Sequence, residues 1–223
     1  LAQLAAKGDA GWREAWHALR ARHRGAAVAL LGEQVGDTVE WIDARFDQLA
    51  EVLAALAVIG ELPREVLDRV QGLGEVFSAQ LLGTHLRALG EDCAVLDARD
   101  VLVVGHGELG VDVDWEASAD RLAKWRLQHQ QSRLVATGFV ARDRHDRITT
   151  LGRNGSDYSG AIFAALFNAD ELHIWTDVDG VLSADPRLVP EAVQLESLSY
   201  DEACELAYFG AKVVHPQTMS PAI

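Results

Sequence analysis

Nine residues, Leu151-Gly152-Arg153-Asn154-Gly155-Ser156-Asp157-Tyr158-Ser159, constrain this chain more than any other stretch. They stand between apolar runs at residues 133–140 and 172–175 and open a run of mostly small and apolar residues over 160–168. That order predicts a strand, a tight turn and a helix. Gly152 and Gly155 let the backbone turn sharply and approach a ligand closely. Ser156 or Asp157 is placed to cap the helix, whose first N–H groups and positive dipole end favour an anion. Arg153 adds a planar fork suited to carboxylate or phosphate. Asp157 has the wrong sign for a passive anion hole and the right sign for orienting a lysine or a metal. A capped turn with a solvated arginine would read the same from these residues alone, so the decision falls to the rest of the chain.

The helix over 156–168 runs into an expected strand at 172–175. Strand–helix–strand alternation implies parallel strands joined by right-handed crossovers. In open α/β sheets ligands sit beyond the carboxyl ends of strands. Residues 152–157 and 176–180 both lie at such ends and can face one site. Ser199-Tyr200-Asp201-Glu202 reads as a capping box for a helix ending near Phe209, with Gly210 as the stop. Lys212 follows that stop, within reach of the same crevice, although a lone lysine there is more often a surface charge. At 223 residues, 49% of them hydrophobic, one large α/β domain is the simplest count.

Upstream, residues 1–60 read as helical, with Trp12, Ala15, Trp16 and Leu19, then Ile42, Phe46, Leu49, Val52, Leu53 and Leu56, at helical spacing. Gly25, Gly32 and Gly36 separate the two runs. The tryptophans suit a core or an interface. Pro63 can open a short helix through Val70, and Gly72-Leu73-Gly74-Glu75 then leads into a second, amphipathic helix that Gly90 stops. In that reading Glu75 sits in a first helical turn and complements the dipole. Residues 93–96 and 101–104 read as short strands. Gly105-His106-Gly107-Glu108-Leu109-Gly110 then matches the dinucleotide-binding fingerprint literally. The fingerprint needs a helix opening inside the glycine turn. Here Val111-Asp112-Val113-Asp114 alternates like a strand, and the helix starts only near Trp115, so the match predicts no nucleotide site. Residues 117–130 read as a charged helix, 133–140 as a strand ending in Thr137-Gly138-Phe139, and 148–151 as its hairpin partner.

Four segments resemble the aspartokinases of the amino-acid kinase family, in the family's order. They are Gly152-Arg153-Asn154-Gly155-Ser156-Asp157-Tyr158, Thr176-Asp177-Val178-Asp179-Gly180, Asp185-Pro186-Arg187 and Phe209-Gly210-Ala211-Lys212-Val213. The resemblance is nearest to the kinase part of fused aspartokinase–homoserine dehydrogenases. It implies an α/β fold, a three-layer αβα sandwich with a mostly parallel sheet, formed by residues 61–223, with residues 1–60 as a helical insertion on the same domain. It also implies phosphoryl transfer from MgATP to the β-carboxylate of L-aspartate. Neither a P-loop nor the protein-kinase motif set is present, so ATP is held in another way.

Under that resemblance Arg153 takes the α-carboxylate of aspartate, helped by Ser156 and the backbone near Asn154 and Gly155. Glu75 takes the amino group. Asp157 organises the catalytic lysines. Thr176 and Asp177 contact ATP, Arg187 and Lys212 its phosphates, and Val213 the adenosine. Mg²⁺ travels with the nucleotide, and no protein metal site is expected. Leu182 departs from the nucleotide-contacting tyrosine of some aspartokinases. Asn154 stands where many members have glycine. The family's N-terminal lysine-phenylalanine-glycine-glycine segment has no counterpart here, and its C-terminal ACT domains do not follow. The chain as written is therefore expected to be inactive or impaired alone.

The parent is expected to be a cytoplasmic homo-oligomer fused to ACT domains, with or without a dehydrogenase domain, and with aspartate and ATP as small-molecule partners. A net charge of −14 argues against nucleic acid and acidic membrane surfaces. Cys93 and Cys204 make no disulfide framework, and no apolar run reaches about 18 residues. The competing readings are a kinase with another acceptor, a nicotinamide enzyme built on residues 105–110, and a non-catalytic regulatory fragment.

Overall fold

The computed structural model describes residues 1–107, 110–175, 180–184, 188–208 and 221. They fall into two compact units, Leu1–Thr150 and Leu151–Ile223.

The first unit starts with α1 (Ala2–Ala6), α2 (Gly11–Leu31), α3 (Gly36–Ile59) and α4 (Arg64–Ala88). Ile42, Phe46, Leu49, Leu53 and Leu56 repeat every three or four residues and form the buried face of α3. They share one core with Trp12 and Trp16 of α2 and Phe77 of α4. Trp16 could not be buried with its indole N–H unmet; that group donates to the Phe46 carbonyl at 2.9 Å. Phe46 and Phe77 stack with centroids 5.1 Å apart. At the rim, Arg20 donates to Asp43 and Arg24 closes on the same carboxylate. The Arg20 hydrogen bond holds the Asp43 carboxyl below its ordinary pKa, against the effect of burial.

Gly25 does not break α2; an added Cβ there would meet open space. The break comes at Gly32, whose φ of 54° ends the helix and begins a 3-10 turn over Gly32–Val35. Gly60, at φ 75°, closes α3 in the left-handed region that glycine enters without steric cost. The expected interruption at Gly72–Gly74 does not occur, and α4 runs unbroken over 25 residues. Its glycines are there for close approach. A Cβ on Gly72 would lie 2.5 Å from Val140 Cγ1, and one on Gly83 would press closer still on Val95. Gly72, Ala79 and Gly83 are seven and four residues apart, so they form one small-residue face on which the sheet side chains rest.

Six strands follow: β1 (Cys93–Leu96), β2 (Val103–Gly107), β3 (Gly110–Val113), β4 (Arg133–Ala136), β5 (Val140–Asp143) and β6 (Ile148–Thr150). Among the described residues β1 and β4 pair in parallel, and a second sheet has the order β3-β2-β5-β6. Within it β2 and β5 are parallel, while β2–β3 and β5–β6 are antiparallel. The strand expected over 133–140 divides at Thr137–Phe139 into β4 and β5. The strand expected over 101–104 starts two residues late, because Asp97 caps a short helix, α5 (Ala98–Val101). Asp114 caps α6 (Trp115–Gln128), and Ser118 in its first turn accepts from Val103 N–H at 3.0 Å. Thr137, also buried, accepts from Ala98 N–H at 2.8 Å.

The second unit contains α7 (Gly155–Leu166) and α8 (Tyr200–Tyr208). Residues 172–175, expected as a strand, carry no ladder among the described residues, and Trp175 is 93% exposed. Leu182 and Gln194 form an isolated antiparallel bridge. The capping box is present: Ser199 N–H donates to Glu202 Oε2 at 2.8 Å, and Glu202 N–H to Ser199 Oγ at 3.2 Å.

Candidate functional site

The turn at the head of α7 is built by two residues in the left-handed region, Gly152 at φ 76° and Asn154 at φ 57°. Asparagine is among the few L-residues that enter this region readily. The Asn154 turn lets the Gly155 N–H reach the Gly152 carbonyl at 3.2 Å, and its own carbonyl receives Tyr158 N–H at 3.1 Å. The helix thus starts at Gly155, with Asn154 as its N-cap residue and no side chain closing the cap. Ser156 and Asp157 lie inside the first turn and do not cap it as expected. The N–H groups of that turn form an anion-favouring helix end.

Arg153 is exposed at this end and has no hydrogen-bond or ion-pair partner among the described residues. Asp157 is half-buried and equally unpaired there, although it stands four residues from Arg153. An unpaired guanidinium beside a helix N-terminus suits a carboxylate or phosphate; a free aspartate three residues into the helix suits a cation. Asn154 and Ser156 are exposed and Gly155 is buried.

Glu75 belongs to the first unit and is half-buried. It sits eleven residues into α4, far from any helix end, so dipole complementation does not explain it. Helical spacing places it between Gly72 and Ala79, on the face of α4 turned toward the sheet. A second feature of this unit carried little weight in the sequence. Val140 N–H reaches back to the Gly138 carbonyl at 2.7 Å, across Phe139 at φ 64°. This is a γ-turn of the strained, positive-φ kind, which a bulky aromatic enters only when its surroundings enforce it. The sequence signal was the Gly138-Phe139 pair ahead of a hairpin. The side-chain hydroxyl of Thr137 and the strained peptide of Phe139 thus follow directly on the end of β4.

Of the glycine fingerprint, residues 105–107 and Gly110 lie in the antiparallel pair of β2 and β3, with Gly107 opposite Gly110, and the next helix among the described residues opens at Trp115. Arg144 lies against it, 3.2 Å from Asp114 and 3.5 Å from Asp112, and answers both carboxylates. His106 Nε2 contacts Thr149 Oγ1 at 2.8 Å, and that hydroxyl lies 3.4 Å from the buried carboxylate of Asp68. These residues serve packing, and the dinucleotide reading ends there. Thr176, Asp177, Arg187, Lys212 and Val213 lie outside the described residues. Among the described residues no three His, Cys, Asp or Glu side chains are grouped to hold a metal ion, and no helix is long and apolar enough to cross a membrane.

The chain belongs to the amino acid kinase family, whose model matches residues 13–223. Within that family it is 46% identical over 204 residues to the chloroplastic bifunctional aspartokinase/homoserine dehydrogenase 1 of Arabidopsis thaliana, covering 91% of this chain and 22% of that protein. The corresponding enzyme of Daucus carota is 43% identical over 217 residues, covering 96% of this chain and 24% of that one. The chain therefore spans about a quarter or less of the length of these curated relatives. The crystal structure of Escherichia coli aspartokinase III in complex with aspartate and ADP matches 99% of this chain and 49% of its own, with a TM-score of 0.85 and 30% identity. The α/β fold class read from the sequence is that of the aspartokinases.

Proposed function

We propose that this chain is the catalytic part of an aspartate kinase, which transfers the γ-phosphoryl group of MgATP to the β-carboxylate of L-aspartate and yields 4-phospho-L-aspartate. The observation that carries the reading is the Arg153 guanidinium, without a partner among the described residues, beside the N-terminus of α7, with Asp157 in the first turn. Its support is the likeness to bifunctional aspartokinases and to an aspartokinase solved with aspartate and ADP.

Arg153 takes the α-carboxylate, with Ser156 and the backbone of Asn154 and Gly155 completing the cradle. Glu75 takes the ammonium group. A β-carboxylate is already ionised at neutral pH, so the acceptor needs no general base. The obstacle is the mutual repulsion of carboxylate and triphosphate, which cations remove. Lys212 and Arg187 supply them at the phosphates, and Asp157 orients the lysine. Thr176, Asp177 and Val213 hold the nucleotide. Mg²⁺ enters with ATP and screens its phosphate charge. Residues 1–60 serve as a helical insertion on the core formed by residues 61–223. The whole protein works as a cytoplasmic homo-oligomer joined to ACT and homoserine dehydrogenase domains.

Calorimetric titration with L-aspartate tests the carboxylate assignment. Binding should weaken about tenfold or more in Arg153→Ala, because a charge-assisted fork is lost, while circular dichroism stays unchanged. Equal affinity in the folded variant removes Arg153 from the site.

A further inference from the structure

The first unit contains a cleft of about 790 Å³ that none of the residues assigned above lines. Its volume is that of an ordinary small-molecule site. Four arginines and two aspartates line it, in a chain that carries 34 acidic residues against 20 basic ones. The four arginines are not equivalent. Arg99 forks onto Asp97 through Nε at 2.8 and 3.1 Å, so that pair is closed on itself. Arg142 donates to the carbonyls of Arg99 and Asp146, both at 2.8 Å, and braces the wall. Among the described residues Arg45 of α3 meets only the Gln48 side-chain oxygen at 3.0 Å and the face of Trp41. Arg69 of α4 has no partner among the described residues. Two guanidiniums on neighbouring helices thus line one cleft without a carboxylate on either among the described residues.

The other recurrent surface there is aromatic. Trp41 is fixed edge-on by Phe77 at 5.5 Å, and Trp125 is stacked on His129 at 4.0 Å. Both rings are half-buried and line the cleft. The remaining acid, Asp100, has its carboxyl pKa raised by burial and by the neighbouring Asp97 carboxylate, and it stands on the Arg99 and Arg142 side of the cleft lining. On α4, Arg69, Leu73, Val76 and Gln80 make up the cleft-facing row, while Glu75 lies about 130° around the helix.

From the arginines and the two indoles in its lining we infer that this cleft is a second binding site, for a small organic anion whose carboxylate or phosphate is held by Arg45 and Arg69 and whose flat apolar body lies against Trp41 and Trp125. Arginine recognises both oxyanions through the same planar fork, and tryptophan contributes a flat apolar wall. The site is independent of the kinase assignment, since it uses none of its residues.

The test is a titration of the whole protein with indole-3-carboxylate, phenyl phosphate and inorganic phosphate, followed by calorimetry and tryptophan fluorescence. The two aromatic anions should bind and alter the tryptophan emission, with inorganic phosphate binding more weakly than phenyl phosphate. Whichever aromatic anion binds better identifies the preferred head group. Arg45→Gln combined with Arg69→Gln should weaken binding about tenfold or more. Arg69→Gln alone, at an exposed and unpartnered position, should weaken it measurably without disturbing the fold, while Arg153→Ala leaves it unchanged. Absence of binding at millimolar probe, as when a second copy of the chain covers the cleft, overturns the proposal. So does binding that survives the double substitution, or that is lost with Arg153→Ala.

Discussion

Asn154 decides the geometry of the kinase turn at the scale of a single residue. Its left-handed backbone delivers the chain into α7 and leaves Arg153 on the outside of the bend. Asn154→Gly should therefore leave thermal stability nearly unchanged, since glycine accepts the same φ. Asn154→Val should cost about 1–2 kcal/mol, seen as a lower melting temperature, because a β-branched residue is excluded from that region. Equal melting temperatures for the two variants would mean that the turn is made in another way. The same stereochemistry explains why asparagine can stand where aspartokinases often have glycine. The sequence disclosed which residues belong to the turn, but not the residue at which the helix begins. Ser156 and Asp157 are both good capping types, and only the φ of Asn154 separates them from the true start.

α4 is the element on which the sequence reading went furthest astray, and its glycines are the reason. Gly72, Gly74 and Gly83 look alike in a sequence, as residues that weaken a helix. In the fold Gly72 and Gly83 face Val140 and Val95, whereas Gly74 faces open space. Gly74→Ala should stabilise the protein by about 0.5–1 kcal/mol through helix propensity. Gly72→Ala should destabilise it by about 1–3 kcal/mol, because the new methyl must displace a stiff β-branched neighbour. Urea unfolding of the two variants reads the difference directly; the same sign for both would place α4 farther from the sheet. The hairpin β2–β3 teaches the converse. Its glycines match a nucleotide motif letter for letter, yet the alternation of Val111 and Val113 with Asp112 and Asp114 correctly marked a strand. Periodicity reports the environment of every residue in a segment, while a motif reports only residue identity.

At the scale of the whole molecule, the broad α/β class and most helices were legible, because apolar spacing encodes burial. Strand partners were less so. Residues 133–140 read as one strand, since nothing in their side chains announces the γ-turn at Phe139. Of the candidate site, Arg153 and Asp157 have no partner among the described residues, and Glu75 is found in mid-helix on the sheet side of α4. Under the kinase assignment a chain of net charge −14 must meet a triphosphate with a few local cations, and this makes the choice of acceptor sensitive to single arginines. Acceptor choice is also where the rival amino acid kinases differ. The decisive measurement is ADP release from MgATP by the protein carrying this chain, with L-aspartate or L-glutamate as acceptor, before and after Arg153→Ala. The kinase assignment requires L-aspartate to be preferred about tenfold or more, and kcat/KM for it to fall about 100-fold in the variant. Equal release with both acceptors, or a variant as fast as the parent, would contradict it.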